Sequence, residues 1–224
     1  IYDLKDICRE SIQNIPKENL VLGCGVKAIK NISGKWAVID EDDQEILVGD
    51  ALVLANGVGV KKLLETLSIR LHLRPVRGQL SRFEIGANSA WIKHFPKHAM
   101  CGDGYCLPAL TFNKNQYLWE VGSSYDEGEF DLTPRASSDD HNRELARTLL
   151  DNRDLPLEDL VAKEPFVGLR SVSGDRLPLI GEVPSQPGLF IASAYGARGV
   201  LWSAVAPGLI ARQVEAFFLG AAFL

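Results

Sequence analysis

Gly188-Leu-Phe-Ile-Ala-Ser-Ala-Tyr-Gly-Ala-Arg-Gly-Val-Leu-Trp-Ser-Ala204, with Gly168-Leu-Arg-Ser-Val-Ser-Gly-Asp-Arg-Leu-Pro-Leu-Ile-Gly181 just before it, reads as a buried strand, a glycine loop and a helix. Leu189 to Ala194 is the apolar run of the strand. The helix is expected from Gly199 to Phe218, with Pro207 inside it as a kink or a restart. The first N–H groups of a helix lack partners within it and carry partial positive charge. An anionic or electron-rich ring can settle there, and glycines let the backbone come close to it. Gly196, Ala197, Arg198, Gly199 and Val200 are therefore candidate cofactor-binding residues, the alternative being a plain strand-to-helix turn. Arg170 has the planar fork that suits two carboxylate oxygens; the alternative is an ion pair with a neighbour such as Asp175.

Outward from this stretch, Phe166 to Val172 is expected as a strand and Ala51-Leu-Val-Leu-Ala55 as a strand buried on both faces, broken by Asn56-Gly57. Toward the N-terminus, Asp3 to Asn14 has helical periodicity and stops before Pro16. Asn19 to Gly23 reads as a short strand. Val26 to Ser33 and Lys35 to Ile39 read as a hairpin turning at Ser33-Gly34, with Glu45 to Val48 returning. A helix is expected over Val60 to Leu67. Extended segments follow at Leu73 to Ile85, Tyr105 to Ala109 and Tyr117 to Gly122. Ser137-Ser-Asp-Asp140 offers an N-cap and first-turn acids for a helix reaching about Asn152. The order implies a mixed α/β (α+β) fold with two interleaved subdomains. Residues 1–70 and 166–224 form one, and residues 71–165 form an antiparallel sheet subdomain.

The chain has 224 residues, 46% hydrophobic and 24% charged, the balance of a globular protein with a sizeable core. No apolar run approaches a membrane span, no signal peptide is expected, and no metal-ligand spacing stands out. Cys8, Cys24, Cys101 and Cys106 read as free thiols in a reducing cytoplasm. Net charge is −5, which weighs against nucleic acid, yet Lys61 to Lys97 holds eight Lys/Arg against Glu65 and Glu84, so that segment is +6 and the remainder −11. Lys61, Lys62, Arg74, Arg77, Lys93 and Lys97 are candidate phosphate contacts, the alternative being a solvated face.

The segments Val53-Leu-Ala-Asn-Gly57, Pro75-Val-Arg-Gly-Gln79, Gly102-Asp-Gly-Tyr-Cys-Leu-Pro108, Val121-Gly-Ser-Ser-Tyr125, Gly168-Leu-Arg170, Asp175-Arg-Leu-Pro-Leu-Ile-Gly181 and Tyr195-Gly-Ala-Arg-Gly199 stand in the order of a known family. The chain resembles the D-amino-acid-oxidase-like flavoproteins of the glycine oxidase and sarcosine oxidase type. Within them it is similar to the oxidase domains of bifunctional enzymes that build 5-methylaminomethyl-2-thiouridine in tRNA. The resemblance implies an FAD-binding layer joined to an antiparallel substrate sheet. It implies that Arg170 and Tyr105 touch the substrate, with Tyr125 and Tyr195 as weaker candidates. Val26, Ala55, Asn56 and Gly57 would lie along the FAD, together with Gly196 to Val200. The strand, Gly-x-Gly-x-x-Gly and helix that open such proteins are absent, Gly23-Cys-Gly25 being too short. The sequence therefore reads as the later portion of an oxidase.

The implied reaction is oxidation of a carboxymethylamino group on the tRNA wobble uridine. FAD takes the hydride from the carbon between amine and carboxylate, and the imine hydrolyses to glyoxylate and an aminomethyl base. A fused or partner methyltransferase domain would then act on that base. The wobble base would be presented out of its stack, with the tRNA anticodon region against the basic segment. Two alternatives stay open: a small-molecule glycine or sarcosine oxidase, and a non-catalytic binding module.

Overall fold

A computed structural model describes residues 4–160 and 162–221. In chain order the elements are α1 (Leu4–Ile12), β1 (Val26–Ile32), β2 (Lys35–Asp40), β3 (Glu45–Gly49), β4 (Leu52–Leu54), α2 (Val60–Glu65), β5 (Leu73–Gly86), β6 (Met100–Cys101), β7 (Tyr105–Cys106), β8 (Leu110–Asn113), β9 (Gln116–Gly122), β10 (Asp126–Glu127), α3 (Ala136–Leu149), β11 (Phe166–Ser173), β12 (Leu179–Glu182), β13 (Leu189–Ser193) and α4 (Gly199–Ala221). The chain divides into two compact units, Ile1–Leu52 with Lys62–Arg70, and Val53–Lys61 with Leu71–Leu224.

The first unit is built on the antiparallel meander β1-β2-β3. Ser33 and Gly34 take positive φ, 53° and 84°, as a tight two-residue hairpin requires. Ile29, Trp36 and Val38 are buried, and Thr66 Oγ1 donates to the carbonyl of Ile29 at 3.3 Å. The strand expected at Asn19 to Gly23 is absent. A 3-10 turn occupies Lys17–Asn19, and Val21 and Leu22 are exposed. Their apolar character has no strand to pair with, so composition alone misleads there.

The second unit centres on a seven-stranded antiparallel sheet. The long strand β5 pairs with β11 on one edge, and with β9 and then β10 on the other. After four successive buried residues, Val76 to Gln79, its burial alternates along the pleat. Arg77, Gln79, Ser81, Phe83 and Ile85 are buried, whereas Leu80, Arg82 and Glu84 are partly or fully exposed. The buried face is covered by α3, and Phe83, Ile85, Trp119, Val121, Cys106 and Ala146 form the core between them. The expected cap at Ser137 is not used. The helix starts after Arg135, without a side-chain cap, and Asp139 instead accepts from Gln79 Nε2 (2.8 Å) and Ser81 Oγ (2.5 Å). Asp139 stays in the first turn, as expected, and its carboxylate also satisfies those buried donors on the sheet.

A smaller sheet has the order β12-β13-β4. Strand β13 is buried almost throughout, as its apolar run demands. Helix α4 runs unbroken through Pro207 and packs on this sheet through Ala206, Ile210 and Phe217, the last edge-on to Phe190 at 6.2 Å.

Candidate active site

The glycine loop is assembled by hydroxyl hydrogen bonds. Strand β13 ends at Ser193, and Ala194 and Gly196 then take positive φ of 63° and 55° before a 3-10 turn, Gly196–Arg198, leads into α4. Ser193 Oγ donates to the carbonyl of Gly57 at 2.9 Å. Ser193 has then spent its proton, so Ser171 Oγ is the donor in the 3.3 Å contact between the two hydroxyls. The Asn56–Gly57 turn, the end of β13 and the end of β11 thus meet at one serine. Gly57 is held to the end of β13, and Ala55 lines one cleft with Tyr195, the residue before Gly196. Beside them is a cleft of about 350 Å³, lined chiefly by Val53, Ala55, Ala192, Tyr195, Ala206 and Ile210. Nothing stands within 4 Å of where a Cβ would lie on Gly57 or Gly199. Val26 lies in the first unit, at the start of β1.

Arg170 sits on the face of the large sheet opposite α3. The register pairs Arg170 with Val76, Gly168 with Gly78, and Leu80 with Gly122, which in turn pairs with Tyr105. With side chains alternating along each strand, Arg170, Gly78, Gly122 and Tyr105 share one face. A Cβ on Gly78 would fall on the guanidinium, 2.6 Å from its Cζ. The absent side chain is what lets the guanidinium lie against β5. Arg170 Nη1 donates to the Ser124 carbonyl at 3.3 Å, and Nη2 to Ser123 Oγ. Asp175, the alternative partner, accepts instead from Ser173 Oγ and Leu177 N. Among the described residues no carboxylate forms a salt bridge with Arg170, and burial pushes its pKa down. Burial likewise raises Tyr105, with the charge of Glu120 adding to it.

The glycine loop and the arginine occupy the same region. The Cβ direction of Gly196 meets Val172 Cγ2 at 3.9 Å. Val172 is two residues from Arg170 on β11 and therefore on the same face, roughly 7 Å along the strand. An apolar cleft at a helix N-terminus thus lies next to a guanidinium with neutral oxygens for company.

The family model for FAD dependent oxidoreductases (DAO) matches residues 19–213. The chain belongs to that family. It is similar to the tRNA 5-methylaminomethyl-2-thiouridine biosynthesis bifunctional protein MnmC of Cupriavidus necator, 32% identical over 86% of this chain and 32% of that protein. The Ralstonia nicotianae protein of the same name is 31% identical over 94% of this chain and 35% of its own length. The chain thus spans about a third of these relatives. In fold it is similar to glycine oxidase from Geobacillus kaustophilus (TM-score 0.65, 22% identity, 86% of this chain and 48% of that one). Iminodiacetate oxidase from Chelativorans sp. is another such neighbour (TM-score 0.64, 21% identity, 84% and 48%).

FAD is the cofactor of this family, and the residues present fit the edge of its ring system. The cleft has apolar walls, and backbone N–H groups in the first turn of α4 carry the partial positive charge that a reduced ring draws on. The phosphate candidates do not form one set. Lys61, Lys93 and Lys97 of the second unit are exposed, as is Lys62 of the first. Arg74 pairs with Glu127 at 2.8 Å. Arg77 corrects the sequence reading. It points to the α3 side with no exposure, and its guanidinium donates to Asp126, Ser138, Gln79 and the carbonyls of Asp131 and Thr133. No hydrogen of it is left for a phosphate. The sequence reading missed Gly78, Ser123 and Ser124 as supports of Arg170. Arg-Gly-Gln and Gly-Ser-Ser were visible, but only strand register brings them to Arg170.

Proposed function

We propose that this chain carries the oxidase chemistry that removes the carboxymethyl group from a carboxymethylaminomethyl uridine at the tRNA wobble position, releasing glyoxylate. The observation that carries the reading is Arg170: a half-buried guanidinium that forms no salt bridge among the described residues, on the sheet face that also meets the glycine loop. FAD, when bound, supplies the hydride acceptor. The chain's own part is placement. Arg170 takes the substrate carboxylate in a bidentate grip and so fixes the adjacent carbon. Tyr105, kept protonated by burial, is a hydrogen-bond donor on the same face. Ala55 to Gly57 and Gly196 to Val200 would hold the ring, with residues 1–70 and 166–224 as the FAD-binding part and 71–165 as the substrate part. The curated relatives' names, which specify tRNA, support the nucleic-acid substrate. The exposed Lys61, Lys93 and Lys97 suit anticodon phosphates. A methyltransferase domain, fused or separate, and a cytoplasmic location belong to the same proposal. No helix among the described residues is long and apolar enough to cross a membrane.

The test is nucleoside mass spectrometry after incubating the FAD-loaded protein with carboxymethylaminomethylated tRNA. Conversion to the aminomethyl base with release of glyoxylate is expected. Arg170→Ala should lower kcat/KM by about 100-fold, the loss of a charged hydrogen-bonded contact, while leaving flavin retention intact. A flavin-loaded protein that leaves the carboxymethyl group in place refutes the reading.

A further inference from the structure

Two large aromatic side chains beside Arg170 are left in solvent. Tyr125 is 46% exposed, and its ring centroid lies 5.7 Å from the guanidinium carbon of Arg170. Phe166 is 57% exposed. It stands on β11 four residues before Arg170, so both share a face with Gly168 between them. The Phe166 ring leans over that glycine, its Cε1 3.2 Å from where a Cβ would sit. Gly168 is paired with Gly78, over which the guanidinium lies. One ring therefore borders the guanidinium from the loop after β9, and the other stands on the same sheet face at the start of β11.

Single exposed apolar residues are ordinary. Two exposed rings on the sheet face of a half-buried cation are a different matter, because each ring face leaves apolar area in water that a flat ligand would cover. A small aliphatic amino acid gripped by Arg170 brings no planar ring to stack on either of them. A carboxymethylaminomethyl arm spans four bonds from its carboxyl carbon to the base, about 5 Å at ordinary bond lengths. The arm thus sets the base about 5 Å beyond the carboxylate held by Arg170, whose guanidinium carbon lies 5.7 Å from the Tyr125 ring centroid.

Resting on the reading of Arg170 as a carboxylate anchor, we propose that Tyr125 and Phe166 form a stacking platform for the planar base that bears the amine. They make the site prefer base-linked carboxymethylamines over aliphatic ones. Stacking on an aromatic side chain tolerates any base, because every base has a π-face. The platform therefore selects the class of substrate, and the arm selects the modification.

The experiment is calorimetric titration of the FAD-loaded protein with two probes, the carboxymethylaminomethyluridine nucleoside and sarcosine. The nucleoside should bind at least about tenfold more tightly, in line with what alanine substitution at stacked rings removes. Tyr125→Ala and Phe166→Ala should each cut that ratio about fivefold or more, and Tyr125→Phe should keep it. Sarcosine affinity should stay within about threefold in Phe166→Ala, which also reports that this variant is folded, whereas Tyr125→Ala, which removes the ring beside Arg170, is judged by the ratio of the two affinities. Equal affinity for the two probes in the unaltered protein overturns the platform, as does a ratio that survives both alanine substitutions. If the probes bind equally and Arg170→Ala abolishes both, the anchor stands and the platform falls. If neither probe binds, anchor and platform fall together.

Discussion

Gly78→Ala is the most direct perturbation of the arginine, because it changes nothing that would touch substrate. The new Cβ would lie 2.5 Å from Nη2 and 2.6 Å from Cζ of Arg170. Relaxed contacts between heavy atoms are about 3.5–4.0 Å, so the guanidinium must retreat by roughly 1 Å. Its hydrogen bond to the Ser124 carbonyl is already 3.3 Å long, close to the limit of such a bond. Loss of one hydrogen bond to a charged group costs about 1.5–3 kcal/mol, so affinity for a carboxylate should fall roughly 10- to 150-fold. Stability moves differently. Alanine in a strand gains about 0.5–1 kcal/mol over glycine, which offsets the displacement of a flexible side-chain end. Sarcosine titration with a parallel urea melt reads both quantities. The expected signature is a binding defect without a folding defect, accompanied by a shift of the Arg170 side-chain NMR signal. Wild-type sarcosine affinity in Gly78→Ala would refute the argument that this glycine makes room for the anchor.

Arg77→Met should do the reverse. It removes a fully buried guanidinium whose partners include Asp126 and two carbonyls, so urea denaturation should show a loss of about 3 kcal/mol or more. A loss below about 1 kcal/mol would mean that water replaces those contacts easily. Cys106 is buried, its thiol pushed up to about 11 by burial, whereas Cys8, Cys24 and Cys101 are exposed. A thiol reagent at pH 8 should therefore modify three cysteines in the folded protein and the fourth only after denaturation. Because folding raises this pKa, its contribution to stability is present below the ordinary value of 9.0 and is lost as pH rises toward about 11. Rapid modification of Cys106 in the folded protein would contradict its burial.

What the sequence disclosed depended on how local the signal was. The strand, loop and helix from Leu189 to Ala221 were legible because an uninterrupted apolar run, two glycines and a helical segment follow one another within a few residues. The Ser33-Gly34 hairpin was legible for the same reason. The short apolar run after Asn19 misled, since nothing local reveals whether a strand finds a partner. Arg77 was miscast as a phosphate contact because counting charges ignores the pleat. Period-two alternation separates Arg77 and Gln79 from Gly78, but which face is covered depends on α3, some sixty residues away. Gly78 as the bed of Arg170 was illegible for the same cause: the two residues lie ninety-two positions apart and meet only through the register of β5 and β11.

The two arginines on either side of this sheet separate structural from ligand-binding charge. Taking a guanidinium out of water is unfavourable unless charge and hydrogen bonds compensate it. Arg77 is compensated from within, by Asp126 and by a full set of oxygens. Arg170 donates to a carbonyl and a hydroxyl and forms no salt bridge among the described residues, and burial depresses its pKa more than the charge of Asp126 and the neighbouring tyrosines raise it. The two sites are joined at Ser124. Its hydroxyl accepts from Gln79 N and donates to Asp126, while its carbonyl accepts from Arg170. The compensated arginine thereby helps to fix the loop that holds the uncompensated one. A guanidinium left short of negative charge, on a loop braced from the opposite face, gains most from a ligand that brings its own carboxylate. Arg-Gly-Gln at 77–79 encodes that division of labour in three residues: two side chains directed to the brace, and one side chain omitted to make room for the anchor.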